Sequence, residues 1–119
     1  MTKIYYDGGC PVCSREMAQY RRARGAEKLE FIDVSTCAPA ALGAGLTRDE
    51  AMARLHVRDA DGRMVSGAAA FAALWQSLPG WAWLGRLAAW PVVLPLLEGG
   101  YRGFLRVRRL WRKQALLFL

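Results

Sequence analysis

The sequence contains few of the residues that metal sites and disulfide-stapled scaffolds need. Among its 119 residues there are only three cysteines and one histidine. An odd cysteine count argues against a framework of structural disulfides of the kind that small secreted domains use. The N-terminal segment also lacks a basic stretch followed by an apolar run, the pattern of a secretion signal. We therefore expect a protein that is kept in a reducing compartment, the cytoplasm.

Long apolar runs are lacking too. The longest one extends from Leu87 to Leu97 and is interrupted by Pro91 and Pro95, whereas a helix needs about 20 apolar residues to cross a bilayer. With 54% apolar and 23% charged residues, the composition is typical of a folded domain. The sequence therefore predicts one small globular unit without a membrane-spanning helix.

Acidic residues are scarce in the last third of the chain. Residues 81–119 hold seven Lys/Arg and one Glu, so they carry +6 of the net charge of +7. Basic residues at helical spacing form a stripe there, with aromatic and leucine residues largely opposite. The stripe comprises Arg102, Arg106, Arg109 and Lys113, and the opposite face comprises Tyr101, Phe104, Leu105 and Trp111. A local basic block of this kind indicates an acidic partner or a solvated helix face.

Three interpretations of this basic helix stay open. It can be the solvated face of a helix that packs its aromatic side onto the domain. It can also lie on a membrane surface, where the apolar end Leu116–Leu119 would add contact. Nucleic-acid binding fits the charge, but we do not expect it because the sequence contains no recognition motif.

Residues 1–80 predict the element order β-α-β-α-β-β-α. A strand, a helix and a strand within about 30 residues have the size of a parallel βαβ unit, and a later hairpin turns at Asp61-Gly62. In chain order we expect a strand at Lys3–Tyr6, a helix from Pro11 to about Gly25, a strand at Leu29–Val34, a loop at Ser35–Gly45, a capped helix from Thr47 to Arg54, the hairpin over residues 55–66 and a helix from Gly67 to Pro79. The prediction is an α/β fold with a four-stranded mixed sheet, the thioredoxin-like core in its glutaredoxin-like form.

Residues 81–119 differ in character and predict a C-terminal helical extension that packs on the same domain. Trp81, Trp83 and Trp90 accompany a Leu/Ala-rich stretch. Because proline and glycine interrupt helices, we expect the last helix to begin near Leu96 or to restart after Gly99-Gly100.

The segment Cys10-Pro11-Val12-Cys13 follows the first strand and opens the first helix. At such a place Cys10 takes the N-cap position, and Cys13 faces the same way one turn later. Free backbone N–H groups and the helix dipole stabilise a Cys10 thiolate, and proline is well suited to the first helical position. We expect Cys10 to be an exposed nucleophile and Cys13 to be the deeper, less ionised resolving thiol.

Two other interpretations of the cysteines compete with disulfide exchange. They can be small apolar core residues, since free cysteine is often buried. Alternatively, Cys10 and Cys13 can join Cys37 and His56 in one Cys₃His zinc site. That site would use every cysteine and the one histidine in the chain.

Asp7 and His56 have a functional and a structural interpretation each. Asp7 ends the first strand near the thiols and can accept a proton from Cys13, or it can serve the turn that Gly8-Gly9 forms. His56 can lower the pKa of Cys10, although strand alternation predicts an outward residue beside Leu55 and Val57. Cys37 can be a further redox thiol or a passive loop residue.

The motif Asp7-x-x-Cys10-x-x-Cys13 after a short apolar strand resembles the DCC family of thiol-disulfide oxidoreductases. Similarity continues through LHVRDADGRMVSGAAAFAALWQSLPGW, residues 55–81, and the layout of the tail is also similar. The resemblance implies a thioredoxin-like domain with a thiol redox role and Asp7, Cys10 and Cys13 as motif residues. It does not imply a particular substrate.

One feature departs from thioredoxins and glutaredoxins, which place a cis-proline before the strand that faces the two cysteines. Here that neighbourhood is Ala53-Arg54-Leu55-His56, so either substrate docking differs or the exchange activity is weak. The candidate residues of a substrate groove are Pro11, Val12, Leu55, His56 and Gly67, the last of which is a glutaredoxin-like feature.

The sequence therefore favours a thiol-disulfide oxidoreductase that uses no cofactor beyond a Cys10–Cys13 disulfide. Its expected partners are protein or low-molecular-weight thiols and disulfides, with peripheral membrane contact through the basic helix. The alternative is a non-catalytic adaptor with structural or zinc-bound cysteines and a basic tail that docks a partner or a membrane.

Overall fold

The computed structural model describes the backbone of residues 2–117 and the side chains of residues 2–109. The strands are β1 (Thr2–Tyr6), β2 (Leu29–Asp33), β3 (His56–Arg58) and β4 (Met64–Ser66), and the helices are α1 (Pro11–Arg21), α2 (Arg48–Ala53), α3 (Ala68–Gln76), α4 (Ala82–Ala88) and α5 (Val93–Leu117). Short 3₁₀ helices cover Ala26–Lys28 and Pro39–Leu42, the second inside the segment expected to be an irregular loop. The side chains of Trp111, Lys113 and Leu116–Leu119 lie outside the described residues.

The four strands form one mixed sheet in the order β2-β1-β3-β4. Strand β1 pairs in parallel with β2, while β3 runs antiparallel to both β1 and β4. The predicted capping box is present, since Thr47 and Glu50 each bind the other's backbone N–H at the start of α2. The sheet and the element order confirm the predicted thioredoxin-like fold.

The sheet is covered on both faces, and this layering decides which side chains can meet. Successive residues of a strand point to opposite faces. Ile4 and Tyr6 of β1 therefore join Met17 of α1 and Leu74 of α3 in one core cluster. Tyr5 points the other way and packs with Ala51 of α2 in a second cluster. We call these the α1 face and the α2 face of the sheet.

The C-terminal extension packs on the α1 face. Helix α4 lies so close to α3 that a Cβ at Gly85 would stand 2.6 Å from the backbone N of Gln76, so only glycine fits there. Trp81 and Tyr101 pack against the core cluster of the α1 face. The extension therefore contributes side chains to the same core as residues 1–80.

The last helix begins earlier than expected, and it does not restart after the glycine pair. It starts at Val93 and runs through Gly99-Gly100 without a break. Pro95 is its third residue, within the first turn, where backbone N–H groups have no partner inside the helix. Each glycine costs about 1 kcal/mol relative to alanine, a cost that packing of Tyr101 against the core offsets. Within the described residues, the helices do not combine the length and the apolar character that a bilayer crossing requires.

Candidate active site

The two cysteines occupy the start of α1, as the spacing predicts. Cys10 is the N-cap residue, with φ −90° and ψ 121°, and Pro11 occupies the first turn. The Cys10 N–H donates to the Asp7 carbonyl oxygen over 3.2 Å, which closes a turn beneath the helix end. Cys13 lies one turn further on and is a hydrogen-bond partner of the Cys10 side chain. The structure therefore holds two neighbouring thiols that are not joined in a disulfide.

The burial of the two thiols is the reverse of the expected order. Cys10 is 0% exposed, whereas Cys13 is partly exposed. The turn from Asp7 to Cys10 folds under the first helical turn, while Pro11 and Val12 take the outer positions. The expectation of an exposed Cys10 and a deeper Cys13 was therefore wrong. It was based on the start of the helix alone and did not include the Asp7–Cys10 turn, which buries the Cys10 side chain.

The surroundings of Cys13 disfavour ionisation of its thiol. Burial raises the pKa of its thiol to about 12, helped by the hydrogen bond to Cys10 and by the negative charge that Cys10 can carry. Only the Arg108 guanidinium acts in the other direction, through its own hydrogen bond and its positive charge. Burial and Cys10 therefore both oppose ionisation of Cys13, and its expected role as the resolving thiol stays a prediction.

Asp7 lies at the end of β1 beside the thiols and is only 3% exposed. Its carboxylate oxygen Oδ1 accepts a hydrogen bond from the Gly9 N–H at 3.0 Å, so the turn role exists. Asp7 also lines a small cavity together with Cys13. The structural and the functional interpretations of this residue are therefore compatible.

The turn that carries Asp7 is fixed from β2 by Asp33. The Asp33 carboxylate accepts hydrogen bonds from the Gly8 N–H at 2.9 Å and from the Ser35 N–H and hydroxyl at 2.9 and 2.6 Å. Burial alone would raise the pKa of Asp33, but the hydrogen bonds from Ser35 and Gly8 lower it overall. Any Cβ at Gly8 would collide with this carboxylate, at 1.9 Å from Oδ2. The loop before Cys10 is thus built around an ionised Asp33.

Arg108 of α5 is the site residue that sequence reasoning missed. It is a buried cation, 7% exposed, and its Nη1 lies 4.0 Å from the Cys13 sulfur across 95 residues of sequence. Its Nη2 donates to the carbonyl oxygens of Met52 and Ala53 at 2.9 and 3.0 Å. The signal was present in the sequence, since Arg108 follows Tyr101 by seven residues and therefore shares its apolar helix face.

Asp7, Cys13 and Arg108 surround a cavity of about 20 Å³ on the α1 face of the sheet. That volume suffices for about one water molecule. Glu16 and Tyr101 also line this cavity, and burial raises the pKa of both. Cys13 therefore borders a small, partly polar space that four acidic or phenolic groups, including Tyr6, share with one cation.

Helix α5 covers the backbone edge that faces the two cysteines. The Leu55 N–H donates to the Tyr101 hydroxyl at 2.7 Å. Arg108 donates hydrogen bonds to the carbonyl oxygens of Met52 and Ala53. The described residues contain no cis peptide bond, in agreement with the lack of a proline in this segment. The side chains of α5 thus take the backbone groups that would otherwise be available to a docked peptide.

The five groove candidates do not form one surface. Val12 lines an apolar groove of about 380 Å³ between α1, α3 and α5, and Pro11 is exposed at the helix start. Leu55, in contrast, lines the inner cavity. Gly67 lies beneath the ion pair of Arg54 and Glu98, because a Cβ there would overlap both side chains. The expected groove through Gly67 is therefore closed.

The prediction of an outward-pointing His56 was wrong. Alternation does turn His56 away from Val57, but α2 covers that face of the sheet and leaves the ring 9% exposed. Its Nδ1 lies 2.8 Å from the Arg54 carbonyl oxygen. Burial lowers the pKa of His56, and its charged neighbours are Arg54 and Glu50 rather than a cysteine.

The zinc interpretation requires four residues that the structure separates. Cys37 packs against the core cluster of the α2 face, whereas Cys13 borders the α1 face. Within residues 2–109, side chains of His, Cys, Asp and Glu do not form any group of three that could hold a metal ion. Cys10, Cys13, Cys37 and His56 therefore do not build a Cys₃His site in this conformation.

The family described as DCC1-like thiol-disulfide oxidoreductase has a model that matches residues 4–114. No curated protein and no solved structure matches the chain. The family match includes the whole thiol site, from Asp7 through Arg108, and nearly the full length of the sequence. The chain belongs to the DCC1-like thiol-disulfide oxidoreductase family.

Proposed function

We propose that this DCC1-like chain exchanges disulfides through Cys10 and Cys13. The observation that carries the proposal is the position of Cys10 at the N-cap of α1 with Cys13 hydrogen-bonded to it one turn later. The dipole of an eleven-residue helix favours negative charge at its N-cap, where Cys10 lies. Cys13, with a pKa of about 12, stays protonated until it attacks the mixed disulfide.

The proposed cycle has two exchange steps. The Cys10 thiolate attacks a substrate disulfide, forms a mixed disulfide and releases one substrate thiolate. Cys13 then loses its proton and attacks the Cys10 sulfur, which forms the Cys10–Cys13 disulfide and releases the second substrate thiolate. Two electrons pass from the protein to the substrate, and the reverse sequence oxidises a substrate dithiol. Because Cys10 is buried, attack requires its sulfur to turn towards the exposed edge at Gly9 and Pro11.

Asp7 is the proposed proton acceptor for the second step. It borders the same cavity as Cys13, and one water molecule in that cavity would connect the two groups. The carboxylate is held by the Gly9 N–H, so its position does not depend on the substrate. The proposed role of Asp7 is therefore in the second step, at Cys13.

A redox titration with single-cysteine variants tests this function. Purified protein is equilibrated in dithiothreitol buffers, alkylated and analysed by mass spectrometry. We expect Cys10 and Cys13 to interconvert as one two-electron couple, with Cys37 alkylated throughout. A Cys13→Ser protein should trap mixed disulfides on Cys10. Trapping on Cys13 in a Cys10→Ser protein alone would reverse the roles, and no couple at any potential would support the adaptor alternative, with structural cysteines.

The apolar groove beside Val12 is the proposed docking site for the substrate. Val12 stands between the two cysteines, so a segment in the groove lies next to the dithiol. Among the described residues, Glu16 is the only charged residue that lines it, which disfavours an anionic low-molecular-weight disulfide such as oxidised glutathione. A protein disulfide with apolar neighbouring residues matches the apolar lining of the groove and is not repelled by the negative charge of Glu16.

A separate observation supports peripheral membrane contact. Large apolar side chains are exposed around the junction of α4 and α5, with Trp83 at 66%, Trp90 at 61% and Val92 at 75%. Arg102, Arg106 and Arg109 are exposed further along α5. Tryptophan together with arginine is typical of surfaces that bind anionic lipid headgroups. We propose that this surface holds the protein at the cytoplasmic side of a membrane.

Vesicle sedimentation tests the membrane proposal. We expect binding to vesicles of phosphatidylcholine with phosphatidylglycerol, weaker binding to phosphatidylcholine alone, and release at high salt. A double variant, Trp83→Ser with Trp90→Ser, should lose binding, whereas Val65→Ser, at an exposed apolar residue of β4, should retain it. Equal binding by both variants would contradict the proposal.

A further inference from the structure

We propose that Arg108 is the counter-ion for the Cys13 thiolate that forms when the mixed disulfide is resolved. This inference rests on the proposed exchange function and assigns a role to a residue of the C-terminal helix. It makes α5 a part of the redox site, although α5 begins about 80 residues after the second cysteine.

The first support is the fixed position of the guanidinium. Nη2 donates to two carbonyl oxygens, those of Met52 and Ala53, so the group cannot turn away without leaving two hydrogen bonds. Nη1 remains available on the side of the Cys13 sulfur, 4.0 Å away. A planar guanidinium can serve both directions at once, because its donors diverge in a rigid fork. The cation is therefore positioned before any thiolate forms.

The second support is burial. A charged group that is 7% exposed has lost most of its hydration, and electrostatic interactions at such a place are stronger than in water. The titratable and charged groups around Cys13 are Cys10 at the N-cap and Glu16 on α1, Tyr6 and Asp7 at the end of β1, and Tyr101 and Arg108 on α5. Arg108 is the cation in that set and hence the group that stabilises a negative charge on the Cys13 sulfur.

The third support comes from how the site changes during the proposed cycle. In the resting dithiol, burial and Cys10 both keep Cys13 protonated. Once Cys10 is bound in a mixed disulfide, its sulfur no longer carries a charge. Burial then remains to oppose ionisation, and Arg108 remains to favour it. The cation is thus most effective in the step in which Cys13 must become a nucleophile.

The pH dependence of Cys13 alkylation tests this role without any disulfide exchange. All proteins carry Cys10→Ser, and mass spectrometry measures the iodoacetamide rates of Cys13 and Cys37 separately. The variants are Arg108→Gln, which removes the charge, and Arg108→Lys, whose single ammonium cannot bind both carbonyls and still approach the sulfur as closely. The controls are Arg109→Gln and Arg109→Lys, because Arg109 is exposed on the same helix.

We expect Arg108→Gln to raise the pH midpoint of Cys13 by about one unit, which lowers its alkylation rate about tenfold below the midpoint. Arg108→Lys should give an intermediate midpoint. The Arg109 controls should leave Cys13 unchanged, and Cys37 should react alike in all proteins. Far-UV circular dichroism identifies the variants that fold. An unchanged midpoint in whichever Arg108 variant folds overturns the inference.

The outcomes also separate this inference from the function on which it rests. A Cys10–Cys13 couple in the wild-type protein, combined with an unchanged Cys13 midpoint, leaves the exchange function standing and removes Arg108 from it. Absence of the couple overturns both, because no resolving step then exists for the cation to assist.

Discussion

The Tyr101 hydroxyl accepts a hydrogen bond from the Leu55 N–H at 2.7 Å, across 46 residues of sequence. In the same backbone segment, the carbonyl oxygens of Met52 and Ala53 accept hydrogen bonds from Arg108. Two side chains of one helix thus satisfy the polar backbone groups of the chain that leads into β3. The C-terminal helix therefore closes this edge of the domain as well as covering its core.

Replacing Tyr101 with phenylalanine leaves the Leu55 N–H without its acceptor in a buried place. An unsatisfied buried donor costs about 1–3 kcal/mol, and we expect the free energy of unfolding in urea to fall by that amount. Tyr5→Phe is the matched control, because the Tyr5 hydroxyl is buried without a hydrogen-bond partner. That change should be neutral or stabilising, and an equal loss in both variants would contradict the role of Tyr101.

Asp33→Asn should destabilise the protein at neutral pH and have little effect in acid. The folded-state pKa of Asp33 lies below its ordinary value, so the ionised form contributes stability above that ordinary value, about pH 4. This contribution is lost as the pH falls through the lower folded-state pKa. Urea midpoints at pH 7, 5 and 3 should therefore converge for wild type and Asp33→Asn, whereas Asp61→Asn in the hairpin turn should show no such convergence.

Removing the Cys10 sulfur should make Cys13 easier to ionise. Two of the causes that raise the Cys13 pKa to about 12 come from Cys10, namely its hydrogen bond and its charge. In a Cys10→Ser protein the charge is gone, so the pH midpoint for alkylation of Cys13 should lie at least about one unit lower than in the reduced wild type. An unchanged midpoint would mean that Cys10 does not contribute to the Cys13 pKa, which would leave burial and Arg108 to set it.

Asp7→Asn should slow resolution of the mixed disulfide more than its formation. A positioned general base contributes about 10²–10⁴-fold to a proton transfer, so the mixed disulfide on Cys10 should live at least about a hundredfold longer. Rapid quenching with acid and mass spectrometry measures both steps. Asp49→Asn, on the exposed start of α2, is the control, and equal slowing of both steps would indicate that Asp7 serves only the turn.

Leu97→Gln should weaken docking of an apolar substrate. Leu97 lines the groove beside Val12 and is 39% exposed, whereas Leu87 on α4 is 41% exposed and lies outside that lining. With a peptide disulfide flanked by leucines, we expect Leu97→Gln to lower kcat/KM by about tenfold, equivalent to about 1.4 kcal/mol of lost apolar contact. Leu87→Gln should retain the rate, and a peptide flanked by glutamates should react slowly with all three proteins.

Local patterns were sufficient to predict most of the fold and the thiol pair. The Thr47–Glu50 capping box, the Asp61-Gly62 turn and the placement of Cys10 and Pro11 at a helix start depend on residues within one or two turns of each other. Contacts of that range leave clear signals in a sequence. The capped helix and the hairpin were therefore predicted close to their observed positions.

Features that depend on distant packing were missed. Arg108 reaches Cys13 only because α5 runs unbroken through its glycines and lies across the segment before β3. His56 is buried because α2 covers the second face of the sheet, which alternation along β3 alone does not reveal. In each case the decisive neighbour is on another element, so the pattern of the residue's own element predicted the wrong environment.

The separation of Cys13 and Arg108 has a consequence for biosynthesis. The guanidinium is synthesised 95 residues after the thiol that it contacts, and ribosomes add about 5–20 residues per second. For about 5–20 seconds, a nascent chain therefore presents Cys13 without the helix that later lies beside it. During that interval Cys13 lacks the guanidinium, which reaches it only when the C-terminal helix has been made and has folded back.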